Sequence, residues 1–278
     1  MNYKLYLIIP IILLLVSVGV LLNQYNQTGE WFERSIDLKG GTLITVKVSS
    51  AVDVPDLKSV LSAKFGSIQI RELSGITGQS LLINAEADVD IDDLLSEISS
   101  YGIDVLEYSA QQIGATLGET FWVQAQTGII VALVFMALIV FFIFRTAVPS
   151  MAVISAVIFD AIITLALMQV FDIPLSLASL AAILMIIGYS VDTDILLTTR
   201  LLKGTGPLRE RVVTTLKTSL TMSFTSIGAL TILIIFGIAE VLTEIATVLL
   251  IGLIIDILIT WLMNATILRW YMERKGIS

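Results

Sequence analysis

Six apolar runs, each about the length of a membrane-spanning helix, constrain this chain more than any other feature. They cover residues 5–22, 126–144, 147–171, 175–197, 219–238 and 243–268. A helix rises about 1.5 Å per residue, so roughly 20 apolar residues cross the hydrocarbon core of a bilayer. Of the 278 residues, 56% are hydrophobic and 14% charged. A soluble domain carries about 25% charge and could not hide six such runs. The first run could in principle be a cleaved leader. It lacks a small-residue cleavage site and is long for one, so it reads as a retained span.

Lysine and arginine placement orients the spans. Arg200, Lys203, Arg209, Arg211 and Lys217 lie between the fourth and fifth runs, Arg145 between the second and third, and Arg269, Arg274 and Lys275 in the tail. The connections 171–174 and 237–240 have neither residue type. Alternation predicts a multi-pass protein of the cytoplasmic membrane with both termini in the cytoplasm, a cytoplasmic loop at 198–218 and residues 23–125 outside. The expected division is a first helix (1–22), an extracytoplasmic domain (23–125) and a five-helix membrane domain (126–278).

Residues 23–125 hold 6 Lys and Arg against 15 Asp and Glu, a net of −9 that accounts for the chain's overall −8. Residues 42–48, 68–73, 80–85 and 103–108 read as strands and 54–65 and 91–101 as helices, capped by Asp53 and Asp90. The order β-α-β-β-α-β predicts an α+β ferredoxin-like domain between the first and second spans. Asp88, Asp90, Asp92 and Asp93 lack the glycine and terminal glutamate of an EF-hand and read as a solvated helix start. The chain has no cysteine and no histidine, which excludes disulfides, thiolate chemistry, Cys/His zinc sites and a histidine base. It has no phosphate-binding G-x-x-x-x-G-K-[ST] sequence. The acidic balance argues against a nucleic-acid partner. The expectation is a non-enzyme without cofactor or metal.

Acids inside lipid are costly and are functional candidates by default. Asp160, Asp192, Asp194 and Asp256 all fall within the runs, and no Lys or Arg lies mid-run. Each needs a proton, another acid, water or a partner's cation. Asp160 has Thr164 one turn on. Asp256 shares a face with Gly252, Thr260 and Asn264. Asp192 shares one with Ala181, Met185 and Gly188, and Asp194 lies about 200° around the helix from it. Tyr189, Ser190, Thr193, Arg200 and Thr221 supply further polar groups. Asp160 and Asp256 acting only as interhelical hydrogen bonders is the plainer alternative. Thr214, Thr218, Thr221, Thr225 and Gly228 recur at helical spacing and predict a packing seam.

Several of these segments resemble one family. Asp37-Leu38-Lys39-Gly40-Gly41-Thr42 is similar to the D-F-x-G-G-T signature of the SecD/SecF protein-export membrane proteins, of the RND superfamily. Gly188-Tyr189-Ser190-Val191-Asp192-Thr193-Asp194 resembles the SecF form G-Y-S-x-N-D-T, and Arg200 matches the arginine that closes that segment. Asp160 and Thr218-Ser219-Leu220-Thr221 match the family's third and fifth spans. Asp192, Thr193 and Asp194 replace the asparagine, aspartate and threonine of the bacterial pattern, and Asp256 falls where bacteria usually have glycine; the altered pattern is similar to archaeal members. The resemblance implies pairing with SecD and assistance to the Sec channel (SecYEG, or SecYEβ in archaea) in exporting unfolded preproteins, driven by the proton gradient. A structural accessory that conducts no protons is the alternative. A lone small-molecule pump fits poorly, because such pumps carry twelve spans and two large loops.

Overall fold

The computed structural model describes residues 3–49, 52–66, 68–75, 78–86, 89–237 and 239–276. Asp88, in the expected acidic helix start, and residues 76, 77 and 238, in two expected connections, lie outside the described residues. Helix α1 (Ile8–Thr28) follows a short 3-10 turn. A four-residue helix α2 (Ile36–Lys39) leads into β1 (Gly41–Val48), α3 (Val54–Phe65), β2 (Gln69–Gly75), β3 (Gly78–Ala85), α4 (Ile91–Ser100) and β4 (Val105–Ile113). The helical remainder comprises α5 (Ala115–Phe144), α6 (Ala147–Val170), α7 (Leu177–Lys203), α8 (Leu208–Phe236), α9 (Glu240–Ile259), a π-helical turn (Thr260–Asn264) and α10 (Ala265–Lys275). Among the described residues, six helical segments are long and apolar enough to cross a membrane.

The strands form one antiparallel sheet in the order β2-β3-β1-β4. Ile44 of β1 stands opposite Ile83 of β3, which in turn faces Ile70 of β2. Alternation along β1 turns Ile44, Val46 and Val48 to one face, where Leu57 and Leu61 of α3 and Leu94 and Ile98 of α4 cover them. Each fully buried aliphatic side chain contributes about 1.5–3 kcal/mol, so this small core is anchored chiefly by these helix faces. The helices start where their caps dictate: Asp53 accepts from the Asp56 N–H, and Asp90 from those of Asp92 and Asp93. Strand β4 runs five residues beyond the expected end at 108, because pairing with β1 continues to Gly41 opposite Ile113.

In the bundle, α6, α7 and α9 are the central helices, and α1, α5 and α8 lie outside them. Helices α7 and α9 approach closely at Gly252, where a Cβ would run into the Ile186 side chain. Helix α5 begins eleven residues before the apolar run at 126. Its first three turns pack against α2 rather than needing lipid. The loop expected at 198–218 is corrected in the same sense: only residues 204–207 separate α7 from α8. Charged residues leave the hydrocarbon, but they need not leave the helix. The sheet lies at the same end of the bundle as the connection 171–176 and the first turns of α9, since Ser35 N donates to Leu175 O, Leu175 N to Glu33 O and Thr45 of β1 to Glu240.

Candidate functional site

Three of the four aspartates that fall within the apolar runs meet at the centre of the bundle. Helix α6 presents Asp160, α7 presents Ser190 and Asp194 one turn apart, and α9 presents Asp256. Thr260 and Asn264 follow Asp256 at steps of four. In an α-helix each such step overshoots a full turn by about 40°. The π turn, in which Ala265 N–H bonds back to Thr260 O, holds more residues per turn and keeps Asn264 over the same face.

The contacts are short and buried. Ser190 Oγ donates to Asp160 Oδ2 at 2.6 Å. Asn264 Nδ2 donates to Asp194 Oδ1 at 2.6 Å, and Thr260 Oγ1 lies 2.9 Å from the same oxygen and 3.3 Å from Asp256 Oδ1. All three carboxyl groups are at most 1% exposed, and Asp160 and Asp256 lie near enough to act on one another. Asp160 Oδ1, Asp194 Oδ2 and Asp256 Oδ2 have no donor among the described residues. Nor does an ion pair join any of the three to a Lys or Arg among those residues. Thr260 has one hydroxyl hydrogen for two carboxyl oxygens, and two carboxylates have none to share. Three uncompensated charges in so dry a site would cost several kcal/mol each. Chemically, the arrangement is suited to holding protons in place of cations.

Asp192 is not part of this cluster. It is exposed, as are Ala181, Met185 and Gly188 along the same stripe of α7. Tyr189 donates to Ser223 of α8, Thr193 bonds back to Tyr189 O, and Arg200 donates to Thr218 Oγ1 rather than reaching an acid. The expected threonine seam is unpacked. Thr214, Thr221, Thr225 and Gly228 are exposed, and the hydroxyls of Thr218, Thr221 and Thr225 bond to carbonyls of their own helix. Spacing identifies a face but not what covers it.

The Asp37-Leu38-Lys39-Gly40-Gly41 segment forms the joint between sheet and bundle. Ser35 caps α2, and Asp37 Oδ2 accepts from Leu177 N at the first turn of α7, where the helix dipole favours an anion. Gly40 and Gly41 both have positive φ and touch the backbones of Ala115 and Ala85.

A second polar group was not anticipated from the sequence. Glu244 Oε1 accepts from Ser176 Oγ, the N-cap of α7, at 2.5 Å, and Glu244 Oε2 lies 3.8 Å from Arg71 Nη2 of β2. One turn earlier, Glu240 Oε2 accepts from Thr45 Oγ1 of β1 at 2.9 Å. Burial presses the Arg71 guanidinium below its usual pKa, opposed by the charges of Glu244 and Glu33. Burial likewise raises the Glu33 carboxyl, with Lys39 opposing. Two acids four apart at the mouth of the last run were the available signal.

The family profile described as protein export membrane protein SecD/SecF, C-terminal, matches residues 94–274. The protein-export membrane protein SecF of Methanocaldococcus jannaschii is 40% identical over 98% of this chain and 96% of its own length. That of Methanothermobacter thermautotrophicus is 43% identical over 93% and 90%. The crystal structure of SecDF, a translocon-associated membrane protein from Thermus thermophilus, superposes with a TM-score of 0.78 at 20% identity. That match covers 99% of this chain and 39% of the larger one.

Proposed function

This chain belongs to the SecD/SecF family of protein-export membrane proteins, and from that premise we propose that it is the SecF half of a SecD–SecF pair whose buried acids couple the proton gradient to preprotein export. The observation that carries this reading is the Asp160–Asp194–Asp256 cluster, three carboxyl groups enclosed by helices with no ion-pair partner among the described residues. Protons taken up or released there would change the attraction between α6, α7 and α9. The six apolar helices would cross the cytoplasmic membrane with both termini inside. The sheet, ferredoxin-like in its strand order, would face the outside, where it can meet unfolded preproteins emerging from the Sec channel (SecYEG or SecYEβ). The chain itself catalyses no bond-breaking step in this scheme.

Asp160→Asn and Asp256→Asn keep size and hydrogen bonding but remove the titrating proton. Each is expected to lower export driven by an imposed proton gradient at least about tenfold, the rate equivalent of ~1.4 kcal/mol. Recovery with SecD should be unchanged. Full export by both variants would remove the coupling.

SecD would cover the exposed stripe of α7 and the threonine face of α8. Small residues permit close helix approach, and an exposed aspartate in lipid is costly unless a partner meets it. Asp192→Leu is accordingly expected to reduce the amount of SecD recovered with the tagged chain by roughly tenfold, a loss of ~1.4 kcal/mol. Undiminished recovery would place SecD elsewhere.

A structural accessory without proton conduction is the second reading. Ser190, Thr260 and Asn264 each bond a cluster carboxyl, so the acids also tie three helices together. Proton flux through the purified pair in sealed vesicles separates the two readings; export without flux selects the accessory.

A further inference from the structure

We propose that Glu244 is a positioning residue for export: it seats the sheet on the two helices that carry the acid cluster and transmits a change at that cluster to the sheet. The inference builds on the coupling reading above, and its test fails separately from that reading. Glu244 is the one carboxylate among the described contacts that joins three parts at once. Its Oε1 takes the hydroxyl of the α7 N-cap, Ser176, its Oε2 faces Arg71 on β2, and its own backbone belongs to α9.

Both helices that meet at Glu244 lead to the acids. Asp256 is twelve residues further along α9 and Asp194 is eighteen beyond Ser176 on α7, about 18 and 27 Å at the helical rise. An intact helix carries a tilt or slide along its length, so a displacement of α9 against α7 at the cluster reappears at their outer ends. Glu240, one turn from Glu244, holds Thr45 of β1, so the same end of α9 grips two strands.

The grip is built to change. The side chains of Arg71 and Glu244 are 22% and 14% exposed, which shields the pair from salt screening. Yet its 3.8 Å separation is long, and the buried Arg71 Nε has no acceptor. Asp37, whose carboxylate approaches the first turn of α7, lies near enough to act on Glu244. A small relative shift of α7 and α9 would therefore alter the contacts of Glu244 before it disturbed the sheet core.

The chain has no cysteine, so an introduced pair reports without background. Thr45→Cys with Glu240→Cys, bridged by a short bis-maleimide in membranes that also hold SecD, measures how closely the sheet is seated and leaves Glu244 and Arg71 in place. Each variant is compared at equal recovery with SecD. Glu244→Gln, which keeps the Ser176 contact and loses the charge, is expected to slow bridging at least about fivefold, the lower end of coupling between linked sites. Asp256→Asn is expected to shift the bridging rate by a similar factor in the parent chain and to add nothing in the Glu244→Gln chain, as for residues acting through one contact. An equal shift by Asp256→Asn with and without Glu244, or no shift in either, overturns the proposal. Normal export by both Asp160→Asn and Asp256→Asn would remove the proton reading instead, and the bridging comparison would still decide the role of Glu244.

Discussion

The Asp194→Ala protein is expected to lose at least about tenfold in export, ~1.4 kcal/mol in rate terms, and to melt below the parent in detergent. Asp194 Oδ1 accepts from both Asn264 Nδ2 and Thr260 Oγ1. Alanine leaves the Asn264 amide without its acceptor in a site with 0% exposure, while Thr260 can still donate to Asp256 Oδ1. A buried donor left without a partner costs about 1–3 kcal/mol before relaxation. Interhelical hydrogen bonds within membranes average only about 0.6 kcal/mol, because the unfolded chain in lipid also finds partners. The lower half of that range is therefore the better expectation. Asp194→Asn should recover most of the melting temperature, since its amide oxygen still accepts, but not the export rate. Equal export by Asp194→Ala and the parent would show that the cluster is ornamental. Equal melting would show that the two bonds are replaced by rearrangement.

The second large effect is expected at Gly118. A Cβ there would fall 2.5 Å from Gly40 N, 2.9 Å from Lys39 C and 3.1 Å from Lys39 N. All three are backbone atoms of the joint between sheet and bundle, so no flexible side chain can yield. Gly40 is itself pressed against the Ala115 backbone at a φ of 83°, which blocks retreat in that direction. Gly118→Val should cost at least the ~1–3 kcal/mol of ordinary overpacking. It should also slow bridging between Thr45→Cys and Glu240→Cys, because α2 must back away from α5 and carry β1 with it. Gly128, with open space around its Cβ position, is the control: Gly128→Val should leave both measurements unchanged.

The helical bundle was readable because lipid imposes a simple rule, a run of about 20 apolar residues per crossing. The strands and helices of the sheet domain were readable from alternation and from the caps Asp53 and Asp90. The ends of α5, α7 and α8 were not, since hydropathy marks where lipid stops rather than where hydrogen bonding stops. At the site, spacing placed Asp256, Thr260 and Asn264 on one face, and the structure adds the π turn that keeps them aligned. Spacing could also say that Asp192 and Asp194 point about 200° apart, but not which of them turns inward. That depends on how α6 and α9 pack against α7. Glu244 and Arg71 are 173 positions apart in the sequence, and nothing local to either announces the other.

The exposed threonine face of α8 and the stripe around Asp192 also bear on supply within the cell. In the pairing proposed above, a subunit that shows hydroxyls and a carboxylate to lipid is finished only when its neighbour arrives. Copies made in excess would carry a visible mark of being unassembled, which membrane quality-control proteases can read. The abundance of this chain should then follow the synthesis of its partner rather than its own message, and one-to-one stoichiometry would be enforced by disposal of the surplus.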